Sequence, residues 1–460
     1  MNKKETLNLI ENEKLVCLCA PVNYMNCYGF MKGFTKMKES LKEYFDFTII
    51  AMKNNFGCQY NNKEKTFRII KQAYDDMQKF EKIIKSWYKM KEEYYRKYDS
   101  LAKKIPEMKT DDLIGEYMSF LEHTGDVWRD PLITDAMGEY TETELLSEFE
   151  KETSGNGKEN LAVKFSVLCQ PNEMSFITRE HVSLLKLAVM FKEKSEEFEE
   201  KLKEHQKNFF WIENNYAKIK VLGREYFMSK IKDELKKNYA DLKQKLSTLE
   251  DKKSLRKKQE KLFEELSLSK ELKEKILFTR NLGNWQDKRK EFCLRSNHYL
   301  LLFLAELSKR AGVSPEDSYY ISPEEITGII RKEQEVSEEV VAQRKKATVQ
   351  IVEAPWKESL FWGDDALEIL EKLDENVRHE NYADEIKGVV ASHGAGKTIK
   401  GRVRVIMNPE NVSLKKNEIL VTSMTRPDYV PLMKKAAAII TDEGGITSHA
   451  SIVSRELGIP

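Results

Sequence analysis

The 460-residue sequence lacks most of the features that assign a chain to a class at a glance. It has no surplus of charge: 77 Lys and Arg stand against 76 Asp and Glu, a formal net charge of +1. A strongly basic nucleic-acid binder needs surplus cations to neutralise phosphates, so no nucleic-acid partner is expected for the chain as a whole. It has no apolar run of roughly 18 residues or more, so no membrane-spanning helix is expected. The opening Met1-Asn2-Lys3-Lys4-Glu5 is not followed by the apolar core of a secretory signal. It has no Cys-x-x-Cys pair. Among Cys17, Cys19, Cys27, Cys58, Cys169 and Cys293, the first three have no histidine nearby and no zinc-type spacing. Buried free thiols and a reducing, cytoplasmic location are expected. No internal repeat is visible.

What is present is charge of both signs. Charged residues make up 33% and hydrophobic residues 40% of the chain. The charged share exceeds the usual ~25% and fits long solvated helices. The length suggests about three domains at ~150 residues each. Residues 1-190 read as a helical domain with an irregular N-terminal segment, in which Leu15 to Ala20 suits a strand. Phe67, Ile70, Ala73, Met77, Phe80, Ile84 and Trp87 predict a helix over 64–105. Residues 191-350 read as long helices, with a helical hairpin or coiled coil at 229-278. There Leu235, Tyr239, Leu242, Leu246 and Leu249 share a face. Asn281-Leu282-Gly283-Asn284 reads as a turn, and Ser322-Pro323 as a helix start with Ser as N-cap and Pro at the first position. Residues 351-386 are expected to be a linker. From 387 to 460 the pattern becomes α/β: Val403, Val405 and Met407 alternate with other residues, Glu418 to Thr422 forms a second strand, and Ala436 to Ile440 a third. The third is apolar on both sides and is expected to be buried.

The chemistry is concentrated in Thr441 to Pro460. A strand ends, Gly444-Gly445 turns the chain, and a helix begins near Thr447, with Ala450, Val453 and Leu457 on its inner face. His449 then falls in the first helical turn, where unpaired backbone N–H groups and the helix dipole stabilise an anion. Paired glycines allow close approach of a phosphate. Thr447 and Ser448 add hydroxyl donors. A neutral imidazole, with an ordinary pKa of ~6.5, is a competent nucleophile near neutrality. The arrangement suits a histidine that accepts and releases a phosphoryl group. It equally suits a structural histidine bonded to Thr447 or Asp442, and the residues alone leave both readings open.

Gly444-Gly-Ile-Thr-Ser-His449-Ala-Ser-Ile-Val-Ser-Arg455-Glu-Leu-Gly-Ile-Pro460 resembles the signature of the phosphohistidine, or mobile, domain of PEP-utilising enzymes. Gly401 to Val405, Glu418 to Thr422, Thr425-Arg-Pro-Asp-Tyr-Val-Pro-Leu-Met433 and Ala436 to Asp442 follow that family's order and spacing. The resemblance covers about 387–460. A weaker one, through Pro315-Glu-Asp-Ser-Tyr-Tyr-Ile-Ser-Pro-Glu-Glu325, points to the layout of rifampin phosphotransferase and phosphoenolpyruvate synthase-like proteins. The resemblance implies a multidomain chain, with a mostly α-helical N-terminal body followed by a small α/β (swivelling β/β/α) domain. It implies that His449 is the phosphorylated residue and that Gly444, Gly445, Thr447, Ser448 and Arg455 shape or neutralise the phosphate site. The implied function is a phosphotransferase component that carries phosphate between a donor and an unidentified small-molecule acceptor.

Two departures from the family pattern matter. No stretch resembles its ATP-grasp domain, so ATP with Mg or phosphoenolpyruvate is expected at a partner chain or missing domain, with no cofactor or metal held by this chain. The family's domain also continues by about a strand pair beyond Gly-Ile-Pro, so this one is expected to be cut short. The rival reading is a non-catalytic helical scaffold with a degenerate phosphohistidine domain. A third reading, a P-loop at Ala391-Ser-His-Gly-Ala-Gly396-Lys397-Thr398, fails twice. Ala391 replaces the first glycine, and a strand rather than a helix follows. His205, beside Phe209, Phe210, Trp211 and Tyr216, reads as packing rather than as part of a ligand pocket. Arg295 and His298 read as surface or supporting polar residues.

Overall fold

The computed structural model describes residues 1–21, 24–54, 56–154, 161–214, 219–236, 238–378, 385–386, 388, 390–392, 394, 398–407, 409, 412–425, 429–442 and 448–460, with backbone alone at 18–21, 139, 252, 378, 449, 452 and 456. The chain is mostly helical and forms two compact units. The first comprises Met1–Tyr140 and Ser296–Gly388; the second comprises Thr141–Asn214, Lys218–Arg295 and Val389–Pro460.

The first unit is built on a five-stranded antiparallel sheet of β1 (Leu15–Pro21), β2 (Phe47–Lys53), β3 (Phe56–Asn62), β4 (Ala347–Glu353) and β5 (Lys357–Trp362). Its order is β1-β3-β2-β4-β5. β2 and β4 pair along their whole length, Ile49 facing Ile351 and Ala51 facing Val349. Both are rich in β-branched residues and buried at nearly every position, as strands covered on both faces must be. One face packs Ile49, Ala51, Val349 and Ile351 against Ile10 of the helix Lys3–Asn12 and Ala366, Ile369 and Leu373 of the helix Gly363–Arg378. The helix Tyr24–Lys36 lies against β2 and β4 and packs closely on the helix Thr110–Arg129. Glycine makes that approach: a Cβ on Gly29 would stand 2.5 Å from Thr124 Cγ2, and one on Gly125 would stand 2.7 Å from Lys32 Cβ.

Several expectations change here. Residues 351-386 are not simply a linker, because the end of β4, all of β5 and the helix Gly363–Arg378 occupy 351–378. The apolar residues there are spent on a sheet whose other strands lie near the N-terminus, which local reading does not reveal. The helix expected over 64–105 is two, Lys63–Asp75 and Met77–Ala102. Asp76 separates them and caps the second by accepting from Lys79 N at 3.1 Å. Cys58 is disulfide-bonded rather than free, and the residue facing it across the β1–β3 ladder is Cys19. Cys17, Cys27, Cys169 and Cys293 are not in disulfides.

In the second unit the helices Phe176–Glu193, Phe198–Phe209, Arg224–Leu235 and Tyr239–Glu250 enclose Leu185, Leu202, Trp211, Phe227, Ile231 and Leu242. The stretch 229-278 is segmented instead of forming one hairpin or coiled coil. Asn238 caps one helix by accepting from Ala240 N at 2.9 Å, and Asp251 caps the helix Lys252–Leu266 by accepting from Ser254 N at 3.0 Å. The shared face was nonetheless real: Leu242 is buried, and Leu235, Leu246 and Leu249 pack beside it. The expected turn at 281–284 lies inside the helix Lys270–Ala311. Gly283 costs about 1 kcal/mol there relative to alanine, and burial of Leu282 and Trp285 on either side outweighs it.

The α/β part of this unit has three parallel strands, β6 (Val403–Val405), β7 (Ile419–Thr422) and β8 (Ala438–Thr441), in that order. Leu420 packs with Leu432 and Met433 of the short helix Val430–Met433 and with Val453 of the helix His449–Leu457. The opposite face is apolar and open: Val403, Val405 and Ile440 are 53%, 66% and 50% exposed. The third strand is therefore only partly buried on its packed side, and among the described residues its other side is open. No helix among the described residues is long and apolar enough to cross a membrane.

Candidate phosphohistidine site

The site is built where β8 ends. The chain leaves Thr441, passes through 443–447, which lie outside the described residues, and re-enters as the helix His449–Leu457. Gly444, Gly445 and Thr447 fall in that interval. Ser448 is the N-cap, with extended backbone at φ −64 and ψ 160. Its Oγ accepts from Ser451 N at 3.2 Å and shares a hydrogen bond with Ser451 Oγ at 2.9 Å. His449 is therefore the first helical residue, in the first turn as its sequence setting predicted, though the helix starts two residues later than Thr447. Ser448 and Ser451 are both buried, so Ser448 shapes the helix start.

This geometry is suited to an anion. An α-helix leaves its first N–H groups without intrahelical partners, and its dipole places partial positive charge there. No acidic side chain occupies the first turn. The location is the carboxyl end of a parallel sheet, where open α/β folds bind ligands. Tyr429, fully buried, braces that end: its hydroxyl donates to Met407 O at 2.8 Å and lies 3.1 Å from both Ile406 O and Thr422 Oγ1. The turn after β6 and the last residue of β7 are thereby held together beneath the site.

Arg455 is six residues beyond His449, about 9 Å along the helix axis. It stands in the last turn, and Gly458 in the left-handed conformation (φ 64) ends the helix after it. Its Nη1 donates to Ser166 Oγ and to Ala391 O, each at 3.0 Å. Ser166 belongs to the helix Leu161–Cys169, whose last carbonyls are bound by Gln259 (Val167 O, 2.9 Å) and Arg280 (Leu168 O, 2.5 Å). In this arrangement Arg455 fastens the His449 helix to its neighbour. Of the six residues singled out from sequence, the structure places Ser448, His449 and Arg455 on one helix, with only the first two at its N-terminus.

The remaining candidates have structural settings. In the P-loop-like stretch, 393 and 395–397 lie outside the described residues, and the segment runs into strand β6. His205 is buried; its Nδ1 shares a hydrogen bond with Ser183 Oγ at 2.8 Å, and its ring packs 4.7 Å from that of Phe227 and 5.0 Å from that of Phe209. Tyr216 lies outside the described residues. Arg295 and His298 sit on the helix Lys270–Ala311. Among the described residues no group of three or more His, Cys, Asp or Glu could hold a metal ion. Sequence reasoning missed Asp287, whose carboxylate accepts from Phe176 N at 3.0 Å and which burial pushes up to about 7.

Residues 414–460 match the family model described as the mobile domain of PEP-utilising enzymes. The chain is 36% identical over 194 residues to the "probable phosphoenolpyruvate synthase" of Pyrococcus abyssi, a match covering 39% of this chain and 22% of that protein. It is 60% identical over 76 residues to the phosphoenolpyruvate synthase of Pyrococcus furiosus (16% of this chain, 9% of that one). It is 32% identical over 184 residues to that of Helicobacter pylori (40% and 21%). The chain spans about a fifth or less of the length of these relatives. Its C-terminal segment, carrying His449 at the head of a helix, is a PEP-utilising mobile domain of the kind found in phosphoenolpyruvate synthases.

Proposed function

We propose that this chain is the phosphohistidine-bearing component of a phosphotransferase. His449 takes a phosphoryl group from phosphoenolpyruvate or ATP and passes it to a small-molecule acceptor. The observation that carries this reading is the position of His449 as first residue of a helix at the carboxyl end of a parallel sheet, within the matched segment.

The chemistry is a displacement at phosphorus. A neutral imidazole nitrogen of His449 supplies the electron pair for the new N–P bond, and the bond from phosphorus to the donor oxygen breaks. That oxygen keeps its electrons, as the enolate that takes a proton to become pyruvate, or as ADP. Transfer onward reverses the first step, with an acceptor oxygen forming the new P–O bond. The first-turn N–H groups stabilise charge on the phosphoryl oxygens. Gly444 and Gly445 admit the phosphate closely, Thr447 adds a hydroxyl, and Ser448 and Arg455 fix the helix that presents the histidine. In this reading nucleotide and Mg are bound by an ATP-grasp partner chain or domain, and the His449 domain moves between donor and acceptor sites.

The test is intact-mass analysis after incubation with phosphoenolpyruvate, or with ATP, Mg and an ATP-grasp partner, for wild type and His449→Ala. An acid-labile phosphate present in wild type and absent in the variant supports the reading. No phosphate on the full-length protein with a verified donor favours the non-catalytic scaffold.

A further inference from the structure

Within the second unit, the helices Phe176–Glu193 and Phe198–Phe209 form an antiparallel pair joined by a short turn, in which Lys194 takes the left-handed conformation (φ 56). Phe191 stacks near Phe198 at the turn, with ring centroids 5.2 Å apart, and further along Ser183 Oγ meets His205 Nδ1 at 2.8 Å. Beside this contact lies an open cleft of about 520 Å³, within the range of about 300–1,000 Å³ usual for small-molecule sites. Arg179, Ser183 and Leu187 line it from the first helix and Lys201, His205 and Asn208 from the second, each set at the three- and four-residue steps of one helix face. The phosphoryl-carrier reading does not use this cleft.

One wall is apolar. Val182 and Leu187 are buried there, and the half-buried Met174 and Met190 complete it. Methionine is unbranched and adapts to an irregular guest. The rim is charged, and most of its charge cancels in pairs: Lys186 with Glu250 at 2.7 Å and Lys201 with Glu204 at 2.9 Å. Glu197 precedes the second helix, at the turn end of the cleft, whereas Arg179 stands in the first turn of the first helix, at the other end.

The positive charge left over is at Arg179. Its Nη2 donates to Glu291 Oε2, and Lys288 Nζ lies 3.2 Å from the same oxygen, so one carboxylate serves two cations. Asp287, which burial pushes up to about 7, is only a partial counter-charge near neutrality. Glu180 does not line the cleft; its Oε1 stands 3.5 Å from His205 Nε2. Arg179 Nε is buried and has no hydrogen-bond partner among the described residues. Unlike a hydroxyl, a guanidinium N–H can only donate, and a buried donor without an acceptor is costly. What this end of the cleft lacks is an acceptor bearing one negative charge. A carboxylate meets a guanidinium with matching geometry, and the apolar wall suits a short hydrocarbon chain behind it.

We propose that this cleft binds a monocarboxylate with a short apolar chain, the carboxylate accepting from the Arg179 guanidinium and the chain lying along Met174, Val182, Leu187 and Met190. The proposal does not rest on phosphorylation of His449.

Calorimetry and saturation-transfer NMR on the whole protein test it, with hexanoate as probe. Saturable binding of hexanoate is expected, at least tenfold tighter than that of hexan-1-ol, which lacks the charge, and of acetate, which lacks the chain. Arg179→Gln should weaken hexanoate binding at least tenfold and Met174→Ser several-fold, and His449→Ala should leave it unchanged. The Arg179 side chain is 35% exposed and Met174 precedes the helix, so both changes spare the core. No saturable binding, hexan-1-ol or acetate binding as tightly as hexanoate, or hexanoate affinity indifferent to both variants would overturn the proposal.

Discussion

The two sheets of this molecule are held together in opposite ways. The five-stranded sheet is antiparallel and packed on both sides, and in β2 and β4 nearly every side chain is buried. The three-stranded sheet is parallel and packed on one side, leaving Val403, Val405 and Ile440 in solvent. Parallel sheets are ordinarily covered on both faces, whereas this one is covered on one face among the described residues, and it is the one that ends at His449. Fully burying a valine or isoleucine contributes about 1.5–3 kcal/mol, so each residue on the open face forgoes much of that. The first sheet is a frame, and the second a platform whose stiffness comes from one packed face and the Tyr429 brace.

The comparison can be broken most sharply at His449. His449→Ala is expected to abolish acid-labile phosphate while leaving the thermal melting profile unchanged, because the change falls at a helix start and alanine is a good helix former. Retained phosphate, read by intact mass, would move the chemistry elsewhere. Next, Ile351→Ala in the covered sheet should cost about 2–5 kcal/mol by cavity formation, measured by urea denaturation; a loss below 1 kcal/mol would mean that β4 is not central to that unit. Ser448→Ala should cost about 0.5–2 kcal/mol by removing an N-cap, and should slow His449 phosphorylation, followed by phosphate incorporation with time.

Asp287 gives a pH test within the second unit. Its carboxyl is held at about 7 by burial, against about 4 when unfolded. Its contribution to stability is fully present below about pH 4 and is lost as the pH rises through 7, because the unfolded chain sheds its proton first. The wild-type melting temperature should therefore fall across that window relative to Asp287→Asn, whose profile should be flatter; parallel profiles would refute the assignment. The smallest effect is expected on the open face. Val405→Thr should change stability by less than about 0.5 kcal/mol, and a larger loss in urea denaturation would show that this face is covered in solution.

Legibility from sequence followed locality. The head of the His449 helix, the cap at Ser322 and the three short parallel strands were readable because their signals lie within a few residues: Ser322 accepts from Glu325 N and Glu325 answers on Ser322 N. The five-stranded sheet was not readable, since Ile49 and Ile351 are partners only in space. The apparent turn at 281–284 misled because glycine and asparagine favour turns locally, while Leu282 and Trp285 are fixed by tertiary burial. The burial of Ile440 was misjudged for a related reason, since an apolar strand does not reveal whether a second layer covers it. In the candidate site, His449 and Ser448 were readable from the glycine pair and helix start, whereas the fastening of Arg455 to Ser166 joins residues far apart in sequence.

The β2–β4 ladder has a consequence in time. The ribosome releases β2 about 300 residues before β4, which at ~5–20 residues per second is roughly 15 to 60 s. Throughout that interval an apolar strand destined for the middle of a sheet presents an unpaired edge, the kind that recruits other chains. Any fragment that stops before residue 347 makes that interval permanent, and the hairpin of β2 and β3 is then left without β4 beside it.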